Sequence, residues 1–448
     1  MNVSKPYRTS MTTTTKLAQY MVGVKPSRLP PGVLDDAALA VLDLLGVAAA
    51  GSRTHAAACF RQAGSVLGSG NAPIWFSGIT GSDAASVSSN AVAGSALDLD
   101  DGERSASGHP GAGVIPVAIA VAARENRSWA DCLAAISVGY EVGTRIAASR
   151  DARNLPTLAT GRWMSFATAA TTAWLMRLDE TRFAHALAIA GTLAPNMAAN
   201  GYSKQTGNSI KEGISWSAVT GMTAAFLAAS GATGPLDVLD HPQHFDASRV
   251  LQELGETWSI QRNYFKLYSC CRWAHAAIDA VLQMRASESW IKDAQSIDVF
   301  TFERALRLNN SPEPANIEAA QYSVPFCVAL ASIHGPDAML VLNEDVLKCE
   351  ATRSLAKRVR LHNDPEMTAL FPASTPARVV VSAGGVTMQR TVLHCRGDWQ
   401  NRPSLEELLA KYRRLYGMLV RQDKCEAIAR AVIGMREEST VLIAELLR

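Results

Sequence analysis

Two stretches of the chain crowd side chains that can move protons or hold anions. Between Tyr264 and Asp279 the sequence places Lys266, Tyr268, Arg272 and His275 close together. Arg272 could grip a carboxylate with its fork, and Lys266 could add a point charge. His275 falls at the start of a helix expected over 274–284. There the helix dipole disfavours an imidazolium and keeps the ring neutral, as a proton acceptor must be. The plainer alternative is an amphipathic helix whose His and Arg face water; the crowding of aromatic, basic and thiol groups tells against it. Cys270 and Cys271 fit packing better than nucleophilic catalysis, because no partner signature accompanies them.

The second stretch, Leu97 to Gly111, carries Asp98, Asp100, Asp101, Glu103 and His109 at the end of an apolar helix. One reading is a loop holding His109 as acid or base, with Asp98 or Asp101 orienting the other ring nitrogen. A solvated acidic loop with an incidental histidine fits the spacing equally well. An Asp-x-Asp-Asp cluster could also bind Mg²⁺ or Ca²⁺, although no phosphate-binding motif accompanies it. Lys211, in the polar break Asn208–Gly213 ahead of a helix, is a third candidate, against the commoner surface lysine paired with Glu212.

These groups need elements to position them. From about 34 to 259 the pattern is helical, with helices expected over 35–50, 85–96, 115–124, 129–149, 165–177, 181–194 and 214–230. Alanine-rich faces predict close helix packing. Strand alternation begins at 297–302, and Gly384-Gly385 between 377–383 and 386–393 is a hairpin signal. Helices are expected between them at 317–333 and 352–358, and again at 404–415, opened by the capping box Ser404 to Glu407, and at 424–447. The expected fold is mainly α with an inserted α/β domain. Residues 16–269 and 398–448 form the helical part, 270–397 form the insert, and the cleft between them is the default site.

A formal charge of +2 with no basic run argues against nucleic acid or a membrane surface as partner. The eight cysteines form no C-x-x-C pair or zinc spacing, and read as reduced thiols of a cytoplasmic protein. The first residues form a polar tail without the apolar stretch of a secretory signal, and no apolar run reaches the roughly 18–20 residues of a membrane span.

Asp98 to Asp101 with His109-Pro110, then Phe265 to Asp279 (FKLYSCCRWAHAAID), resemble the MmgE/PrpD family. Gly139 to Glu141 with Arg145, Ala320 to Phe326, and Arg402 to Lys411 extend the resemblance from about residue 16 to the C-terminus. The resemblance implies a large helical domain beside a smaller α/β domain, a homodimer, and a small polycarboxylate substrate. It also implies chemistry without metal or organic cofactor: a base removes a proton alpha to a carboxylate while cationic groups steady the charge. Asp98, His109, Lys211, Lys266 and His275 are then expected to line the cleft. Catalysis is assigned to His275, Lys211, His109 and Asp98, and substrate binding to Lys266, Arg272, Asp101 and Tyr268.

The family includes 2-methylcitrate dehydratase, cis-aconitate decarboxylase and iminodisuccinate epimerase. Decarboxylase-type members carry a histidine where this chain reads Asn154 to Gly161, and Phe326 stands where tyrosine is common. A lyase needs an acid for its leaving group, whereas an epimerase needs only two opposed acid–base groups. The expected reaction is therefore epimerisation of an iminodisuccinate-like acid. The alternative is a hydro-lyase or decarboxylase of a citrate- or aconitate-like acid, and a carboxylate-binding protein without activity is the non-enzyme reading. Glu103 is left without a role.

Overall fold

The computed structural model describes residues 11–448 except 153–154, 198, 200–202, 204, 420–422 and 435–437. The expected polar tail and Asn154 therefore lie outside the described residues. Helices Val33–Gly51, Asp83–Ser95, Gly111–Arg124, Trp129–Ala148, Met164–Leu175, Glu180–Leu193 and Ile214–Ala229 share one buried core. The helices Leu405–Tyr416, Cys425–Gly434 and Thr440–Leu447 return from the far end of the chain to pack into it. Small residues set the spacing: a Cβ at Gly221 would run into the Ser165 carbonyl, so Ile214–Ala229 and Met164–Leu175 meet almost backbone to backbone. Side-chain oxygens of Ser82, Ser128, Asp179 and Ser404 accept from the first-turn amides of their helices, and Glu407 completes the capping box at Ser404.

A second core gathers the helices His275–Ser287 and Val324–His334 against a four-stranded sheet. Its order is Val359–Asn363, Ser296–Thr301, Ala377–Ala383, Val386–Val392. Ser296–Thr301 runs parallel to the first of these strands and antiparallel to the third. The last two form the hairpin, turned by Gly384 and Gly385 at φ 57 and 81. Strand Ser296–Thr301 alternates half-buried and buried residues, as a sheet with one covered face requires.

Three differences from expectation have local causes. The helix expected over 317–333 is two helices, Ile317–Gln321 and Val324–His334, because Ser323 caps the second and Pro325 occupies its first turn. The helix expected over 424–447 likewise divides, with Ser439 capping Thr440–Leu447. Helix Gly111–Arg124 begins four residues before the expected 115, directly behind Pro110. The helix Thr13–Val22 and the strand Val359–Asn363 were not expected. No helix among the described residues is long and apolar enough to cross a membrane.

Candidate active site

The chain passes from the first core to the second between Phe265 and Tyr268. Tyr264 bridges to Gly102 by a pair of backbone hydrogen bonds, 2.8 and 3.0 Å, which lays the crossing segment beside the loop that follows Asp98. Lys266 is consequently buried with its ammonium donating to the Asp98 carboxylate at 2.7 Å and to the Asp98 carbonyl at 3.1 Å. Lys211, from the turn ahead of helix Ile214–Ala229, donates to the same carboxylate oxygen. Burial alone would raise the Asp98 pKa, but Lys211, Lys266 and His109 outweigh it and hold the carboxyl well below its usual range. Burial would likewise discharge Lys266, yet Asp98 prevails and raises its pKa.

His109 completes the cluster. Its Nδ1 lies 3.2 Å from the Asp100 carboxylate and 3.2 Å from the Asp101 carbonyl, so this nitrogen carries the proton. Nε2 makes no hydrogen bond with a described residue and lies 3.9 Å from both Asp98 Oδ1 and Glu212 Oε1. Burial opposes protonation, but the Asp100 charge outweighs it and raises the His109 pKa. Nδ1 is thus held by the Asp101 carbonyl with the Asp100 carboxylate beside it, where the carboxylate of Asp98 or Asp101 was expected. The Asp101 carboxylate points the other way. It accepts from the Tyr140 hydroxyl at 2.6 Å, from the Gly111 amide at 3.1 Å and from the Asn263 side chain, tying the loop to the start of helix Gly111–Arg124.

Behind the loop, Lys411 donates to Asp43 at 2.7 Å and to the Leu99 carbonyl at 3.1 Å. Leu99 sits between Asp98 and Asp100 in sequence, so helix Leu405–Tyr416 braces the site from within the first core.

The structure brings Asp98, His109, Lys211 and Lys266 together. It does not bring the other four expected residues to the cleft. His275 is 0% exposed; its Nδ1 receives the Arg272 guanidinium at 3.0 Å and its Nε2 donates to the Cys270 carbonyl at 3.3 Å. Burial, then Arg272 and Lys266, push its pKa well down. The ring is neutral, as the helix-start argument expects, but both nitrogens are spent. Arg272 turns inward to Asp398 at 2.8 Å, which Arg104 also holds at 2.6 Å, and its guanidinium lies 4.5 Å over the Tyr264 ring. The Tyr268 hydroxyl donates to Asp279 at 2.5 Å. Burial drives the Cys271 thiol up to about 12, which keeps it protonated.

Three residues that carried no role in the sequence reading join the cluster. Thr160 donates to Glu212 through its amide at 2.8 Å and its hydroxyl at 2.7 Å, and its hydroxyl accepts the His109 amide at 3.1 Å. The close fit depends on Gly161, where a Cβ would strike the Glu212 carbonyl. Tyr322 is half-buried in the break between the two helices at 317–334, beside Asp98 and Glu212. Burial and those two charges raise its pKa well above the ordinary phenol. Phe326 packs fully buried in the second core. The signal for Tyr322 was the Ser-x-Pro that follows it, which ends one helix and starts the next. Glu103 accepts from Ser105 at 2.5 Å and from the Ala106 amide at 2.8 Å, shaping the loop.

One ligand atom each from Asp98, Asp100 and His109 lies within 4.8 Å of the others, a spacing that could hold a metal ion. The two ammonium groups already at Asp98 bring the positive charge that such an ion would supply.

A helical core and a mixed-sheet core enclosing a lysine–carboxylate–histidine cluster define a two-domain chain with acid–base chemistry at its centre. The chain belongs to the MmgE/PrpD family, whose N-terminal domain matches residues 15–252 and whose C-terminal domain matches residues 268–435. The family is enzymatic, with lyase and isomerase members acting on small carboxylic acids. No individually curated protein matches the chain.

Proposed function

We propose that the protein epimerises a small iminodisuccinate-like polycarboxylate by removing and returning the proton alpha to a carboxylate. The observation that supports this reading is that His109 Nε2, which makes no hydrogen bond with a described residue, lies 3.9 Å from the Asp98 oxygen that Lys211 also holds. His109, whose Nδ1 is held by the Asp101 carbonyl beside the Asp100 carboxylate, exchanges the proton at one face through Nε2. The Lys211 ammonium returns one to the other face, and the two exchange roles in reverse. Lys266 stays charged and, with Lys211, stabilises the enediolate that develops on the substrate carboxylate. Asp98 holds both lysines in place. His275 is a positioning residue: it fixes Arg272 and, through Asp398 and Arg104, the loop after Asp101. Arg272, Tyr268 and Asp101 serve the framework in the same way. No metal or organic cofactor takes part.

The second reading, a hydro-lyase or decarboxylase acting on a citrate- or aconitate-like acid, is favoured by the Tyr322 phenol, which could protonate a leaving hydroxyl. Incubation with candidate acids in D₂O separates the two. Deuterium uptake with inversion, and no alkene or CO₂, supports epimerisation; alkene from a 2-methylcitrate-type acid refutes it. We further propose a cytoplasmic location and a homodimer, the dimer supported by two exposed apolar residues on one face of helix Ile214–Ala229, Trp216 at 55% and Leu227 at 38%. Replacing Trp216 by Asp should shift sedimentation toward the monomer.

A further inference from the structure

Helix Trp129–Ala148 ends at a cavity of about 910 Å³ that lies between the helical part and Phe371-Pro372 of the α/β part. The volume falls in the range of pockets that hold small organic molecules. Asp98, His109, Lys211 and Lys266 are not among its walls, so it is separate from the acid–base cluster. Arg150 lines it at 8% exposure. Its Nε donates to the Ala147 carbonyl at 3.3 Å, and its two terminal nitrogens donate to no described residue. No carboxylate of a described residue pairs with it, and the charge that acts on it is that of Arg162, a second cation. Burial and Arg162 push its pKa down to about 10, so the guanidinium is still charged at neutral pH. A buried charge is costly unless something supplies the counter-charge.

The acids around the cavity are turned to other partners. Glu141 holds Arg145 at 2.5 Å and accepts the Ser259 amide at 2.7 Å. Glu103 accepts from Ser105 and Ala106, and Asp246 caps a short helix through the amides of Ser248 and Arg249. Asp151 and Glu253 are exposed. These acids restrict what can enter, because a molecule with several anionic groups would be repelled by them. A single anionic head can meet Arg150, and Arg249, held by the Ala148 carbonyl at 3.3 Å, brings a second guanidinium to the same helix end. Phe245, Phe371 and Pro372 are half-buried in the walls and offer apolar surface to the rest of the molecule. We infer that this cavity is a second binding site, for an organic molecule with one anionic head, carboxylate or phosphate, that pairs with Arg150, and an uncharged apolar body. Either head accepts both prongs of a guanidinium. The ligand is of a different class from the polycarboxylate of the cleft, and the inference does not depend on the reaction at His109.

The test is titration calorimetry on the full-length protein with phenylacetate, phenyl phosphate, benzyl alcohol and tricarballylate. At least one of the two aryl anions should bind about tenfold or more tightly than benzyl alcohol, which has the ring without the charge. Binding by one anion and not the other identifies the head. Arg150→Met, which keeps the length and removes the charge, should cancel that advantage, whereas His109→Gln should leave it intact. Tricarballylate, with three anionic groups, should lose no affinity in Arg150→Met. Arg150→Lys keeps the charge and loses the fork; it should weaken the aryl anions partway, and it serves if the methionine variant does not fold. The inference is overturned if neither aryl anion outbinds benzyl alcohol, if the advantage survives in Arg150→Met, or if it disappears in His109→Gln. Tricarballylate affinity that falls in step with the aryl anions in Arg150→Met overturns the single-head class.

Discussion

Asp101 should make the protein less stable as pH rises through neutrality, and the size of the effect follows from its surroundings. The carboxyl is 1% exposed, and burial raises its pKa from 3.8 to about 7, with the nearby charges of Asp100 and Asp43 adding to the rise. Donation from Tyr140 and Asn263 only partly offsets this. The folded state therefore binds this proton more tightly than the unfolded chain does. Its contribution to stability is complete below the unfolded pKa, falls as pH rises, and is gone above the folded pKa. Shifting a carboxyl from 3.8 to about 7 corresponds to about 4 kcal/mol in all. About 3 kcal/mol of that falls between about pH 5 and about pH 8.5. Asp101→Asn removes the titration and keeps an acceptor for Tyr140. Urea unfolding of both proteins at those two pH values gives a double difference in which other titrating groups cancel. The variant should gain on the wild type by about 3 kcal/mol on going to the higher pH. An equal difference at both pH values would refute the claim that the buried knot at Asp101 holds a proton near neutrality.

Three further outcomes follow from the site. His109→Gln should slow alpha-proton exchange by about 10²–10⁴, whereas His275→Gln should slow it far less per folded molecule, as read by mass spectrometry in D₂O; the opposite ranking would return the base to His275. Exhaustive chelation should leave the exchange rate unchanged, because the ammonium groups of Lys211 and Lys266 already neutralise Asp98; loss of exchange with recovery on adding a divalent ion would reassign Asp98, Asp100 and His109 as a metal centre. Lys411→Met should cost about 3–5 kcal/mol by stranding Asp43, and pairing it with Asp43→Asn should recover part of that in denaturant unfolding.

The fold was legible where a local signal matches a long-range need. Ser404 to Glu407 is a complete capping box, and the hairpin strand Ala377–Ala383 keeps its expected bounds because Gly384-Gly385 offers the turn a two-residue loop requires. The elements missed were short or broken by context. Val359–Asn363 has only five residues, and its ladder comes wholly from a partner some sixty positions earlier, Ser296–Thr301. The division at Tyr322 and Ser323 was obscured by the apolar run that begins at Val324, although Pro325 marked it.

The site was legible as two segments and illegible as a geometry. Chemical crowding along Tyr264 to Asp279 suggested a single wall, yet that crowding has two causes. Lys266 lies before the crossing between cores is complete and reaches Asp98; Arg272 and His275 lie after it and face the ion network at Asp398. In Asp98 to Asp101 the same sorting occurs over four residues, because the left-handed backbone at Asp98, φ 50, turns neighbouring carboxylates to different tasks. Asp98 binds lysines, Asp100 lies beside His109 Nδ1, and Asp101 anchors a helix. Neighbouring residues of one type thus acquire different chemistry from the direction of the chain alone. Glu212 shows the converse: beside Lys211 in sequence it reads as that lysine's salt-bridge partner, but Thr160 turns its carboxylate toward His109 and leaves Lys211 to Asp98. Holding Glu212 away through Thr160 therefore places its charge beside His109 and leaves the Lys211 ammonium to Asp98, so two neighbours in sequence serve two different groups of one cluster.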